Sequence, residues 1–302
     1  MLFAAIDIGS NAVRLYFANI FEKNKMIVAE KASLIRIPVR LGEDVFDFGY
    51  ISDEKRKNLI QTITAYKMLI DVYKPITYKA CATAAMREAS NRNDIIQEIK
   101  QKAGIDVKII DGLEEARIVC ATDVLESDCR YKYALYVDVG GGSTEISVVK
   151  NHKLVNSNSF RIGTIRMLLK KDEPDEWHRL KNWLSAYSSK IENLICVGSG
   201  GNINKLAKIY GNYEERLLTY KNLLKAYQQI KDTPLIDRIE KMGMRPDRAD
   251  VIEPAAQIFI SIMEAINAKT IYVPKIGLPD GLIHEMYNEE IMAKHDNQKM
   301  SY

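Results

Sequence analysis

The chain has 302 residues, 47% hydrophobic and 27% charged, with a formal net charge of +3. That composition is ordinary for a soluble globular protein, and the length suits two domains of about 150 residues each. The charge is too small to predict nucleic-acid binding, yet it leaves room for an anionic substrate, because a bound metal and a few arginines can supply the local field. No apolar run approaches the ~20 residues of a membrane span. Met1–Ile6 reaches Asp7 without a basic n-region, unlike a secretory leader. A cytoplasmic protein with no membrane or nucleic-acid partner is therefore expected. Cys81, Cys120, Cys129 and Cys196 form no CxxC pair and read as reduced, mostly buried thiols.

In chain order, residues 3–20 predict a hairpin whose turn is Asp7-Ile-Gly-Ser-Asn11, and 25–41 predict further strand. Ser52 or Asp53 caps a helix with an apolar face at Leu59, Ile60, Ile63, Tyr66, Leu69, Ile70 and Tyr73. A strand over 76–82, a helix over 83–89, a helix over 95–103, a strand over 107–110 and a helix over 114–125 follow. Strands alternating with helices indicate a mostly parallel sheet. The second half repeats the plan: strands within 133–149 and over 153–160, a strand at 195–197 and a Gly turn at Gly198–Asn202. Helical faces then run through Leu180 to Ile191, Leu223 to Ile230 and Ile252 to Ile266. A late strand at 270–273 precedes a helix capped by Asp280, with a frayed tail from Lys294. The polar link at 126–130 sets the expected domains at 1–125 and 126–302. Trp177 and Trp183 read as core packing.

The strongest signal is a repeat. Ala5-Ile-Asp-Ile-Gly-Ser-Asn11 and Tyr136-Val-Asp-Val-Gly-Gly-Gly-Ser-Thr144 align on Asp7 and Asp138 without a gap. A strand, a tight turn exposing backbone N–H groups and a returning strand make a phosphate cradle. Two of them imply two similar lobes gripping one polyanion across a cleft. The N–H groups of Gly9–Asn11 and Gly140–Ser143 are the expected contacts, with Ser10, Asn11, Ser143 and Thr144 adding side-chain donors. A carboxylate in such a cradle makes sense when a cation bridges it to phosphate, and Mg²⁺ takes one or two carboxylates together with phosphate oxygens. Glu145 returns on the second hairpin strand as an outer carboxylate; the matching position in the first half is Arg14. Thr83, after a strand and before a helix, is a further anion site, with Arg87 one turn on to clamp phosphate. Adjacent helix residues point about 100° apart, so Glu114 and Glu115 have separate jobs. With Asp111 as N-cap, Glu114 is the capping-box partner, leaving Glu115 for chemistry.

These segments, with Ala82-Thr-Ala-Ala-Met-Arg-Glu-Ala-Ser-Asn91, Glu114-Glu-Ala-Arg117, Ser159-Phe-Arg-Ile-Gly-Thr-Ile-Arg166 and Val197-Gly-Ser-Gly-Gly-Asn202, resemble the exopolyphosphatase/guanosine pentaphosphate phosphohydrolase family. The resemblance extends over most of the chain in the family's order and is to its short two-domain members. It implies an α/β fold of two similar lobes of the actin-like ATPase (ribonuclease H-like) type, with the active site in the interlobe cleft. It further implies metal roles for Asp138 and Glu145 alongside Asp7, Glu115 as the group that activates water, and Arg87 in catalysis. Arg166 is expected to reach phosphate, while Arg161 and Gly198–Asn202 have no settled role. The expected reaction is Mg²⁺-dependent release of terminal orthophosphate from inorganic polyphosphate. Guanosine pentaphosphate hydrolysis and a catalytically silent polyphosphate or alarmone sensor are the alternatives; a sugar or acetate kinase would share the cradles but need an acceptor. A homodimer is compatible with the sequence. Two departures from the family pattern, Pro254-Ala255 for Pro-Gly and Gly277-Leu-Pro-Asp-Gly281 without its arginine, bear on the far end of the substrate.

Overall fold

The computed structural model describes residues 1–23, 26–122, 131–188, 194–212 and 214–299. The chain packs into two compact units, Met1–Asp111 with Leu278–Tyr302, and Gly112–Gly277.

In the first unit, β1 (Leu2–Ile8), β2 (Val13–Lys23) and β3 (Met26–Ile37) form an antiparallel run. The short α1 (Leu41–Phe48) follows, then α2 (Asp53–Tyr73), β4 (Tyr78–Ala82), α3 (Ala84–Glu88), α4 (Arg92–Ala103) and β5 (Lys108–Ile109). The sheet order is β3-β2-β1-β4-β5, with β1, β4 and β5 parallel, so the sheet is mixed where a mostly parallel one was expected, because the hairpin strands enter it antiparallel. From Phe3 onward β1 is buried along its whole length, as a central strand covered on both faces must be. Ser52 caps α2 by accepting from Lys55 N–H at 3.4 Å. The predicted apolar face of α2 is buried at Leu59, Ile60, Ile63, Tyr66 and Ile70, while Tyr73 is exposed. The Tyr66 hydroxyl donates across to the Val13 carbonyl at 2.9 Å, tying α2 to the sheet. The strand expected over 25–41 ends at Ile37, and α1 starts at Leu41.

The second unit begins with α5 (Gly112–Cys120), followed by β6 (Tyr133–Val139), β7 (Thr144–Lys150), β8 (Lys153–Phe160), α6 (Thr164–Leu168) and α7 (Pro174–Ser188). Then come β9 (Leu194–Ser199), α8 (Gly201–Tyr210), β10 (Leu217–Thr219), α9 (Tyr220–Asp232), α10 (Leu235–Glu240), α11 (Pro246–Ala249), α12 (Ile252–Ala265) and β11 (Thr270–Tyr272). Its sheet runs β10-β11-β9-β6-β7-β8, again three antiparallel strands joined to parallel neighbours, here β9 and β11, with β10 antiparallel at the edge. Read from the third hairpin strand inward, both sheets share one order. Both also carry a register shift between the second and third strands, at Phe17/Ala18 and at Val148/Val149. The core joins Leu135, Val137, Ile146, Phe160, Leu184, Ile203, Leu223, Phe259 and Met263, with Trp177 and Trp183 packed on it.

The chain finally returns to the first unit as α13 (Leu278–Lys299). Its Tyr287 meets Phe3 edge-on at 6.4 Å, and Lys79 of β4 reaches Glu289 at 2.6 Å and Glu285 at 3.6 Å. Asp280 lies inside the first turn rather than capping it, and its carboxylate bonds the Tyr16 phenol; burial first, then Asp280, holds that phenol above its ordinary value. The helix continues past Lys294, where a frayed tail was expected. The expected link at 126–130 lies outside the described residues. The compact units divide earlier, at Gly112, because α5 packs on β7 and β8. Cys81 and Cys196 are buried free thiols and Cys120 is half-buried; Cys129 lies outside the described residues. No described helix is long and apolar enough to cross a membrane.

Burial pushes the His284 imidazole of α13 below its ordinary value. The unfolded chain then binds more protons than the native one between the lowered value and about 6.5, so His284 destabilises the fold as pH drops through that window. The urea midpoint should therefore fall between about pH 7.5 and about pH 5.5, and fall less in His284→Gln. Equal slopes in the two proteins would remove His284 as the cause.

Candidate functional site

The second unit assembles its candidate site from strand register. Asp138 ends β6 and lies directly opposite Glu145 of β7. Side chains directly opposite share a sheet face, so two carboxylates stand side by side, an arrangement that destabilises a sheet unless a cation joins them. Glu145 is buried, and its Oε1 accepts from Ser159 Oγ at 2.8 Å, from the position opposite it on β8. On the other flank Asp138 registers with Ser199 of β9. Gly200, at φ +100°, follows; a Cβ there would lie 3.1 Å from Asp138 Oδ1. The Gly198–Asn202 turn thus packs beside the Asp138 carboxylate.

Between Asp138 and Glu145 runs the glycine loop, closed by Gly140 N–H to the Ser143 carbonyl at 2.9 Å. Its carbonyls are held from behind. Thr164 N–H donates to Gly140 O (3.0 Å), Ile165 N–H to Gly141 O (2.8 Å) and Arg166 Nε to Gly142 O (2.6 Å). In a trans peptide the N–H points opposite its carbonyl. Pinning these oxygens therefore turns the N–H groups of Gly141, Gly142 and Ser143 the other way, as a concave set of donors suited to an anion. None of the three has a described protein acceptor. Gly163 makes the close approach feasible, because a Cβ there would sit 2.5 Å from Gly141 O and Gly142 C. Arg166, expected to reach phosphate, is buried with its Nε holding the loop. Thr144 is likewise fully buried and donates its hydroxyl to Ile162 O at 2.6 Å, a structural tie where a phosphate contact was expected.

Glu115 lies in the first turn of α5, on the buried face with Gly112, Ala116, Ile118 and Val119. Glu114 is less buried and Asp111 immediately precedes the helix, so the expected division of labour between the two glutamates agrees with their burial. The buried face is anchored at its start: a Cβ on Gly112 would lie 2.3 Å from Ser159 Cβ and Oγ and 3.1 Å from Glu145 Oε1. Glu115 is one turn further along that face.

The first unit builds the same cradle with a different charge. Asp7 of β1 is opposite Arg14 of β2, and the two form an ion pair. Gly9 N–H closes the loop on Ala12 O at 3.1 Å, and Gly42 and Arg40 N–H groups hold the Ser10 and Asn11 carbonyls at 2.8 and 3.1 Å. Lys55 Nζ braces Arg40 from behind through its carbonyl, at 2.7 Å. Ser10 is buried and its Oγ accepts from Ala85 N–H at 3.2 Å. Thr83 is buried ahead of α3, and its side chain makes no cap bond. Arg87 is half-buried, with one guanidinium nitrogen on Ile110 O at 2.8 Å.

Among the described residues no group of three or more His, Cys, Asp or Glu gathers as a metal cage. The Asp138–Glu145 pair nevertheless fits an ion such as Mg²⁺, which takes one or two carboxylates and completes its shell with water and phosphate oxygens. Asp7 already carries a cationic partner. Sequence reasoning did not single out Ser159, Gly112 or Gly163. The only signal for them was their place inside or beside the segments carrying the family resemblance.

The chain matches the Ppx/GppA phosphatase family over residues 26–290 and belongs to it. A guanosine-5'-triphosphate,3'-diphosphate pyrophosphatase of Photobacterium profundum is 24% identical, the alignment covering 98% of this chain and 61% of that protein. The Ppx/GppA family member of Aquifex aeolicus superposes with a TM-score of 0.76 at 27% identity, covering 96% of this chain and 98% of the other. An exopolyphosphatase of Cytophaga hutchinsonii gives 0.81 at 21% identity, over 96% and 98%. The fold is therefore the expected α/β arrangement of two actin-like units. The chain spans about three fifths of the length of the guanosine-5'-triphosphate,3'-diphosphate pyrophosphatases it matches.

Thr144→Val should lower unfolding free energy by about 1–3 kcal/mol, the range for a buried carbonyl left without its donor. Chemical denaturation measures it, and an unchanged midpoint would show that the hydroxyl has no structural task.

Proposed function

We propose that this chain hydrolyses phosphoric anhydrides, releasing terminal orthophosphate from inorganic polyphosphate. The observation that carries the reading is the opposed Asp138–Glu145 pair beside a loop whose N–H groups face away from their braced carbonyls. Asp138 and Glu145 would hold Mg²⁺, with Asp7 as the corresponding acid of the first cradle. Mg²⁺ bound there would neutralise charge on phosphoryl oxygens and orient them. The Gly141, Gly142 and Ser143 N–H groups bind the oxygens of the phosphoryl group under attack. Those of Ser10 and Asn11, with Thr83, bind further oxygens, whereas the Gly9 and Gly140 N–H groups, expected as contacts, close their own loops. Arg87 keeps guanidinium N–H groups beyond its bond to Ile110 and supplies positive charge to the phosphoryl group being transferred. Glu115 accepts a proton from the attacking water or orients it. In phosphoryl transfer the protein's part is positioning and charge stabilisation, with little covalent chemistry of its own.

Guanosine pentaphosphate is the second reading, favoured by the name of the Photobacterium relative. The anhydride chemistry would be the same, and the choice rests on contacts to the guanosine end.

Orthophosphate release with Mg²⁺ should be measured on short and long polyphosphate, guanosine pentaphosphate and ATP. Turnover of polyphosphate above the nucleotides supports the proposal; turnover of pentaphosphate alone selects the second reading. Glu115→Ala should slow the preferred reaction by ~10²–10⁴-fold, the usual loss when a general base is removed. A rate equal to wild type would take Glu115 out of the chemistry. Binding of either polyanion with no phosphate released by the wild type would make the chain a sensor.

A further inference from the structure

We propose that Ser159 is a positioning residue with two tasks: its hydroxyl orients the Glu145 carboxylate for metal binding, and its side chain is the seat for the first turn of α5, which carries Glu115. The inference rests on the metal reading of Asp138 and Glu145 given above. Three features support it. Ser159 Oγ donates to Glu145 Oε1 at 2.8 Å, fixing which oxygen of that carboxylate is occupied from the β8 side. Ser159 is the register partner of Glu145, so the bond spans neighbouring strands and both ends are held by the ladder. Gly112 presses on the same side chain, where a Cβ would stand 2.3 Å from Ser159 Cβ and Oγ.

A carboxylate that must meet a cation loses orientational freedom on binding, and a hydrogen bond made beforehand removes part of that loss. The contact with Gly112 adds a second constraint. Because α5 can approach no closer than the Ser159 side chain permits, that side chain sets the height of the helix start above β7 and β8. Glu115, three residues on and on the same face, inherits that height. One hydroxymethyl group thereby fixes a metal-binding carboxylate and the helix turn bearing the acid that handles water.

The test is Mn²⁺ binding to the full chain, followed by electron paramagnetic resonance without substrate and paired with thermal melting and Mg²⁺ titration of activity. Ser159→Ala should melt within a few degrees of wild type and bind Mn²⁺ about 10–100-fold more weakly, the usual effect of losing a group that orients a metal ligand. Its kcat should recover substantially at high Mg²⁺, whereas a general loss of packing would lower the melting temperature and leave metal affinity alone. Gly112→Ala keeps the hydroxyl but displaces it; it should also weaken Mn²⁺ binding, and its kcat should stay low at high Mg²⁺ because the Glu115 turn is shifted. Glu145→Gln and Asp138→Asn are the controls. If they abolish binding while Ser159→Ala and Gly112→Ala bind like wild type, the positioning role is wrong and the metal reading stands. If neither control weakens binding, the metal reading fails and this inference fails with it.

Discussion

Two negative charges directly opposite each other on adjoining strands are a liability that a sheet rarely keeps. At Asp138 and Glu145 the second unit keeps them, and much of the surrounding structure is organised by that choice. The loop joining them cannot relax into an ordinary hairpin turn, because its carbonyls are held by α6 and by the Arg166 side chain. The neighbouring strands supply serines, Ser159 and Ser199, at the two flanking register positions. The glycine at each approach, Gly163 and Gly112, lets a helix come nearer than any other residue would permit. In the first unit the same register position bears Arg14, and Asp7 has its positive partner within the protein. One architecture thus carries two charge patterns at the same register position, two acids in the second unit and an acid with an arginine in the first.

The duplication of backbone hydrogen bonds is stronger support for common ancestry of the two units than the short sequence match alone. In both, the residue two beyond the aspartate closes the loop onto a carbonyl three residues on, and the helix after the third strand holds the loop carbonyls. At one point the chemistry is exchanged while the geometry persists. The Asn11 carbonyl is held by a main-chain N–H from Arg40, and the matching Gly142 carbonyl by a side-chain Nε from Arg166.

Sequence patterns revealed the strand-turn-strand repeat and the long amphipathic α2, since each depends on local periodicity or on spacing along one element. What escaped depends on contacts between elements. The segment of α1 opens Leu41-Gly-Glu and follows Arg40, whose left-handed φ of 55° replaces a side-chain cap, so no start signal was present. Ser159 was hidden by the β7–β8 bulge. Counting back from the Asn151-His152 turn puts Asn158 opposite Glu145, and the irregularity at Val148/Val149 moves the partner one residue further on. Thr144 was read as a ligand group from its place at the end of the glycine loop, and Arg166 from its place in the segment after the second hairpin. The positions of the Gly142 and Ile162 carbonyls add a supporting bond for each side chain that spacing along the chain does not reveal. Asp280 looked like a cap for the same reason, until its bond to Tyr16 placed it within the helix.

The return of α13 to the first unit has a bearing on how the chain is made. A ribosome delivers β1 to β5 long before residue 278, so the strand pair that receives Tyr287 and Asp280 must wait, with apolar surface uncovered, while all of Gly112–Gly277 is synthesised. The unit that starts first is therefore the one completed last, whereas the intervening unit has all its strands and helices in hand as soon as Gly277 emerges.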